Sequence, residues 1–563
     1  MSTFPVAPSE RSGRNLESAD RRGPMSAASV ALSEGHAVVV DRAVHRARPV
    51  RLGPWRAWLA FVFLAAAGSG TGRSENLPPL DVPPPAPREF RAAWIASVAN
   101  IDWPSRPGLS VRELRAEMRT LLDTAAEVGL NAIILQVRPA ADALYPSPFE
   151  PWSEYLTGQQ GKAPGWFYDP LRDWVAEAHA RGLELHAWIN PYRARHPSAK
   201  GALAADHLAN TRPDVVRSYG DFLWMDPAEP AAQRRTLDVA ADLVARYDLD
   251  GLHIDDYFYP YPIDVPAGAA VPGKLDFPDE SAWQRYRKSG GTLARADWRR
   301  GHVDRLVRDL YATVRRVKPW VRFGVSPFGI GRPDLRPPGV EGFSQYDQLY
   351  ANVELWLEQG WMDYCAPQLY WPSERKAQPF GVLLDYWISR NPKGRHMWPG
   401  LFTSSVADTP KGWVPEEILN QVTQARQRPA ATGHIHFSMI ALQQDRRSVA
   451  TRLRAETYAE PALVPATPWL GTQVPEAPRI VGRNLVGPAA ERSLLLAPGL
   501  GAEVARYAVW RREAGQWRFS VQPARDRVVS LAPWGAFARV EAVVVSAVDR
   551  LGNESPRVTV VLP

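Results

Sequence analysis

One cysteine in 563 residues, Cys365, leaves no intramolecular disulfide to hold this chain together. It lies in an apolar, strand-like run and reads as a small buried side chain, since a nucleophilic role would need a histidine partner on a neighbouring strand. No spacing of His, Cys, Asp and Glu resembles a metal-ligand set, so no metal and no other cofactor is expected. Charge of one sign is scarce as well. Lysine and arginine number 67 against 60 acidic residues, and the net +7 is helped by an arginine-rich beginning. That balance is no nucleic-acid signature, although an acidic polymer stays open as a substrate. The longest apolar run is too short to span a bilayer comfortably.

What the chain does have is length and tryptophan. It exceeds one ordinary domain, and its 45% hydrophobic content is normal for a folded protein, so two domains and a non-globular leader fit best. Most of the 22 tryptophans belong in a core; any left exposed are the rings that sugar clefts stack on pyranose faces.

The leader divides into three. Residues 51–72 carry basic residues, an apolar core and small residues around Ala65, Ala66 and Ala67, the pattern of a secretory signal, which implies export to the periplasm or the medium. No cysteine directly follows that core, so a lipid anchor there has no thiol to use. Residues 1–50 lack periodicity and read as a disordered extension, or as one whose true start lies downstream at Met25 or near Val50. Residues 73–87 are a proline-rich tether.

From residue 88 strand-like and helical runs alternate. Strands are predicted at 91–98, 131–138, 183–190, 251–257, 322–328, 364–370, 397–403 and 434–440, with helices at 111–128, 171–181, 231–247, 298–317, 346–359, 382–389 and 416–427. Such alternation implies a parallel sheet closed into a (β/α)8 TIM barrel over 88–460. Neighbouring strand residues face opposite ways, and the helix-covered side is apolar. Leu252 and Ile254 then face outward and His253 and Asp255 inward. The same parity turns Gln136, Arg138, His186, Trp188, Asn190, Tyr364, Ala366, Gln368, Tyr370, His436 and Ser438 into the lumen. Inward residues become polar towards the strand ends, where barrel enzymes keep their chemistry. Asp255 is the first catalytic candidate. The following loops add Asp142, Glu150, Glu154, Tyr192, Arg193, Asp256 and Tyr257, a crowding of carboxylates and aromatics that suits a carbohydrate cleft.

Several stretches together resemble the glycosyl hydrolase-like 10 family. They are Arg91-Ala-Ala-Trp94 with Asp102-Trp103-Pro104, Gln136-Val-Arg138-Pro with Asp142-Ala-Leu-Tyr, His186-Ala-Trp188-Ile-Asn190-Pro-Tyr192-Arg193, Asp250-Gly-Leu-His-Ile-Asp255-Asp256, Gly324-Val-Ser326-Pro and Gln368-Leu-Tyr370-Trp371. The resemblance spans about residues 88–451. It implies a barrel glycosidase acting outside the cytoplasm on a polysaccharide, with peptide-free peptidoglycan strands and cell-wall or divisome association in view. It also brings Ser326 and Trp371 to the substrate side.

Hydrolysis of a glycosidic bond ordinarily needs two carboxyl groups. Asp255 supplies one. Asp142 and Asp256 rank equally as the second, ahead of Glu150 and Glu154, because the seventh strand offers no carboxylate. A bland role for Asp256 is a loop anchor bonded to backbone N–H groups or Arg193. Arg138, His186, Asn190, His253, Gln368 and Tyr370 would then orient hydroxyls or tune the acid. A non-catalytic glycan-binding barrel and a hydrolase of another envelope or exopolysaccharide are the alternatives.

Past a linker at 461–475, short alternating runs over 476–563 predict a small β-sandwich. The stretch Val545-Ser-Ala-Val-Asp549-Arg-Leu-Gly552-Asn553 resembles the last hairpin of fibronectin type III modules, which implies a spacer or wall-binding role.

Overall fold

A computed structural model describes residues 81–265, 273–533 and 539–563. The expected extension, signal and residues 73–80 of the tether lie outside the described residues.

Short apolar runs with buried residues on both faces suit a parallel sheet covered by helices. They form β1 (Phe90–Ile95), β2 (Ala132–Arg138), β3 (Glu184–Ile189), β4 (Gly251–Ile254), β5 (Arg322–Val325), β6 (Tyr364–Cys365), β7 in two pieces (His396–Met397 and Gly400–Leu401) and β8 (Gly433–His436). All pair in parallel, and β8 returns to β1 through Phe90 with Gly433 and Ala93 with His436. The first piece of β7 pairs with β6 and the second with β8, so this strand closes the ring. The fold is a (β/α)8 barrel.

Helices form where caps and apolar spacing agree. Val111–Val128 starts from a capping box between Ser110 and Glu113, ends on Gly129 at φ 95°, and buries Leu114, Met118, Leu121, Leu122 and Ala125 along one stripe. The helix expected at 346–359 is instead two, Gln345–Gln348 and Val353–Gln359, with Tyr350 between them at φ 55°. Between β3 and the helix Pro230–Arg246 the chain makes a three-stranded antiparallel excursion, Arg193–Arg195, Val216–Tyr219 and Phe222–Met225.

Two apolar clusters separate the faces of the barrel wall. Ile133, Leu135, Leu185, Ala187, Leu252, Ile254, Phe323 and Val325 join the outer layer under the helices. Phe90, Ala92, Trp94, Ile134, Trp188, Tyr364, Trp398 and Ile435 fill the lumen. The inward parity expected for β2, β3, β4 and β6 matches this division. That of β8 is corrected. Ile435 and, half-buried, Phe437 join the lumen, while His434 and His436 both bond the Tyr458 hydroxyl in the outer layer, His436 at 2.8 Å. A polar residue tolerates the helix side once a buried partner waits there, and the strand gives way to the helix Met439–Gln443 earlier than expected.

Below the strands' N-terminal ends sits the C-terminal part. Among its described residues are a three-stranded antiparallel sheet (Arg479–Asn484, Ser493–Ala497, Val528–Ser530) and a four-stranded one (Val504–Glu513, Gln516–Pro523, Val540–Asp549, Val558–Val561). Leu494, Leu496 and Val529 of the first pack against Tyr507, Val509, Val543 and Val545 of the second, which makes a small β-sandwich. The fully buried pair Glu184 and Arg322, 3.0 Å apart, plugs the barrel base. Arg322 also donates to Thr467 Oγ1 at 2.8 Å and to the Arg550 carbonyl at 3.1 Å, so the stretch expected as a linker is held against the barrel.

Candidate active site

The lumen is polar in layers. Above Glu184 and Arg322, His186 Nδ1 lies 2.8 Å from the Tyr364 hydroxyl, which is 3.1 Å from His253 Nδ1. The Trp94 indole can only donate, and it reaches His253 Nε2 at 3.2 Å, so that nitrogen is an acceptor and the proton sits on Nδ1. His253 then donates to Tyr364, Tyr364 to His186 and His186 to Glu184 at 3.3 Å. Burial, helped by His186, holds His253 well below its ordinary pKa and therefore neutral. Ser326 Oγ closes on His253 Nε2 at 2.9 Å. These three expected substrate contacts are occupied inside the barrel instead, because rings this deep need partners of their own.

One level higher, Gln136 Oε1 accepts from the N–H groups of Ser97 and Val98 at 3.0 and 2.9 Å, which forces its amide nitrogen towards Asn190 Oδ1 at 2.6 Å. Arg193 also donates to that oxygen, at 2.8 Å. With Oδ1 filled, Asn190 must present its NH2 to Asp255 Oδ2, where it donates alongside the Trp188 indole at 3.0 Å. Asp255 is only 3% exposed, and its Oδ1 has no hydrogen-bond partner among the described residues. Burial raises its pKa to about 7 against the pull of Arg193, with Asp256 adding to the rise.

β4 ends at Ile254, so Asp256 is not bound by strand parity, and the charge of Arg193 acts on both carboxyls. Asp256 Oδ2 accepts from Tyr261, and Asp256 is also 3% exposed. Burial lifts it to about 6, opposed chiefly by the bond from Tyr261 and also by Gln368 and Arg193. Both carboxyls also act on Tyr257 and Tyr370, whose pKa values burial raises first of all. Arg193 stacks on Tyr257 at 4.7 Å. Asp255, Asp256, Trp188, Arg193, Tyr257, Gln368 and Tyr370 are thus brought together.

Half-buried rings frame this pair. On one side Tyr257, Tyr261, Phe328 and Phe343 form a chain of contacts with centroids 5.0–6.4 Å apart; on the other Tyr370 stacks on Phe402 at 5.0 Å and meets Phe437 at 5.7 Å. Trp371 lies edge-on to Phe328 at 5.6 Å, only 7% exposed, behind this rim. Tyr261, Phe402 and Phe437 were not among the expected contacts. Tyr261 was legible in the aromatic run after β4, whereas Phe437 was hidden by the parity error in β8.

Other expected residues are engaged elsewhere. Arg138 and Glu150 form a two-pronged pair at 2.7 and 2.5 Å, both essentially unexposed, and Arg138 also reaches the Asn190 carbonyl. Tyr192 is fully buried in the outer layer, where the charges of Asp226, Arg305 and Asp309 act on it, so it does not reach the cleft. Glu154 accepts from the Lys200 and Gly201 N–H groups. Asp142 accepts from Ala140 N–H at 3.1 Å and Gln160 at 3.3 Å, and burial raises it to about 7. There it anchors the loop after β2. A further buried carboxylate, Asp102, ties β1 to β8 by accepting from Ala96, Ser438 and Ile440 at 2.7–2.8 Å.

The glycosyl hydrolase-like 10 family model matches residues 89–414. The chain is 38% identical over 482 residues to the glycosyl hydrolase YngK of Bacillus subtilis, covering 83% of this chain and 92% of that protein. To the glycosyl hydrolase DigH of Escherichia coli K12 it is 35% identical over 351 residues, 58% of this chain and 76% of that one. A distant likeness, at 14% identity and TM-score 0.40, is to the PgaB glycoside hydrolase domain of Bordetella bronchiseptica, covering 66% of this chain and 98% of that domain. The chain belongs to the glycosyl hydrolase-like 10 family.

Proposed function

We propose that this protein is an exported glycoside hydrolase that cleaves bacterial cell-wall glycan, with peptide-free peptidoglycan strands as substrate. The observation that carries the reading is the Asp255 and Asp256 pair at the end of β4, buried enough to hold a proton near neutral pH and framed by rings suited to pyranose faces. Trp188, Arg193, Tyr257, Gln368 and Tyr370 contact the sugar; Gln136, Asn190, His253 and Ser326 position those that do. Export follows from the leader, with cleavage near Ala67. The three-plus-four strand sandwich supports the fibronectin type III resemblance and a spacer role beneath the barrel.

Incubation of the purified protein with amidase-treated glycan strands and with intact peptidoglycan tests this. New reducing ends from the peptide-free strands are expected. Binding without new ends would make the protein a glycan-binding barrel, and cleavage of another polysaccharide alone would move the substrate.

A further inference from the structure

Two adjacent rings stand clear of the barrel. Trp166 is 88% exposed and Phe167 93%, and the next most exposed aromatic among the described residues is Trp320 at 38%. The pair lies in the loop that leads from β2 into the helix Pro170–Ala180, at the end of the barrel where the βα loops gather and where Asp255 and Asp256 sit. β2 is two strands round the ring from β4. Among the described residues neither ring meets any aromatic ring but the other, so the pair is separate from the rings that frame the aspartates.

The loop holds both rings out. Gln160 is buried, accepting from the Ala204 N–H at 3.0 Å and donating to Asp142 at 3.3 Å, and the Gly161 N–H donates to the Trp152 carbonyl at 2.8 Å. Gly165 passes so close to the helix Val111–Val128 that a Cβ there would stand 2.8 Å from Val111 Cγ2. Beyond the pair, Tyr168 is buried with the Arg115 guanidinium 5.0 Å from its ring, and Asp169 caps the next helix by accepting from the Arg172 N–H. Phe167 itself has φ 58°, a left-handed conformation that costs a bulky residue free energy and persists only where its surroundings impose it. The ring centroids are 5.4 Å apart and the planes meet at 89°, so the pair presents two faces set at a right angle.

We infer that Trp166 and Phe167 form a second glycan-binding station, which stacks on the apolar faces of sugar rings in a strand whose scissile bond lies at the aspartate pair. This rests on the hydrolase reading above. The two rings offer about 300–500 Å² between them, short of the ~800 Å² per partner of a standard protein interface, and suit individual sugar rings instead. Gln159 and Lys162 of the same loop and Arg112 and Glu113 of the adjoining helix are exposed and polar, as donors and acceptors for sugar hydroxyls are. A strand held at two points gains avidity, whereas a fragment too short to span them gains none.

The test compares long peptide-free strands with short fragments of the same strands, using the full chain and the variants Trp166→Ala and Phe167→Gly. Both side chains are exposed, so both variants should fold, and Phe167→Gly, relieved of the left-handed strain, should melt no lower than the parent. KM for long strands should rise about 10-fold in each variant, with kcat on long strands and kcat/KM on short fragments within about twofold of the parent. Binding of long strands, measured apart from cutting on the Asp255→Asn protein, should weaken by the same factor when Trp166→Ala is added. Unchanged KM and binding in both variants would overturn the inference and leave a glycoside hydrolase. An equal loss on long and short substrates would also overturn it, by placing the rings inside the cleft. So would unchanged strand kinetics with Trp166-dependent binding to phosphatidylglycerol vesicles, which would make the pair a membrane foot. A parent that neither binds nor cuts the strands would remove the hydrolase reading itself, and the inference with it.

Discussion

The Gln136 amide nitrogen donates to Asn190 Oδ1 at 2.6 Å, and with Arg193 on the same oxygen at 2.8 Å it decides which end of Asn190 faces Asp255. The relay runs from the Ser97 and Val98 N–H groups through two amides to the carboxylate. Gln136→Ala removes one of the two orienting donors and leaves the buried Ser97 and Val98 N–H groups unpaired. Steady-state kinetics on glycan strands should show kcat down by about 10- to 100-fold with KM within twofold, since Gln136 touches no sugar. A KM effect without loss of kcat would place Gln136 on the substrate instead.

Asp142 and Asp256 separate as partners of Asp255. Asp256→Asn removes a charge that Asp255 feels and should cut turnover by roughly 1000-fold, about 4 kcal/mol. Asp142→Asn alters only a loop anchor and should leave kcat within about fivefold while lowering the apparent unfolding temperature. Measuring both variants side by side decides; equal kinetic losses would return Asp142 to the reacting centre.

Stability should depend on pH through the same carboxyls. Burial raises Asp255 and Asp142 to about 7 and Asp256 to about 6 from an unfolded value of 3.8. In that window the folded protein holds protons that the unfolded chain has released, so stability is highest below about pH 4 on this account and falls as pH rises towards 7. Asp255→Asn cannot ionise there. Thermal melts should show it gaining on the parent between pH 4 and 7.5, by on the order of 1–4 kcal/mol, and gaining nothing further above. A constant difference across that range would mean Asp255 is ionised throughout.

The barrel base and the catalytic end should be separable. Arg322→Ala strips Glu184 of its closest cation and cuts the bonds to Thr467 and the Arg550 carbonyl. Removing one partner of a buried pair costs ~3–5 kcal/mol. Differential scanning calorimetry should show that loss, with kcat at 25 °C unchanged in the folded fraction.

Strand order and the inward faces of β2, β3 and β4 were legible because these strands alternate cleanly, so Leu252 and Ile254 fixed the face of Asp255 before any contact was known. β8 defeated the same rule. Its lumen side is the apolar one, Ile435 and Phe437, and nothing in the run His434-Ile435-His436-Phe437 announces the Tyr458 hydroxyl that draws both histidines outward. Parity also cannot tell depth. His186, His253 and Asp255 share one face, yet only Asp255 reaches the cleft, because strand stagger sets the level of each residue. Arg138 and Tyr192 belong to a third kind: their partners, Glu150 and the outer layer, come from chain folded back after the strand ends.

The most direct test is the single substitution Asp255→Asn, assayed for binding and for new reducing ends on peptide-free glycan strands. The change keeps side-chain size, so strands should still bind within a few-fold of the parent while turnover falls by three orders of magnitude or more, about 4 kcal/mol or greater. Near-normal turnover by a folded Asp255→Asn protein on strands that the parent cleaves would contradict the placement of the chemistry at the end of β4.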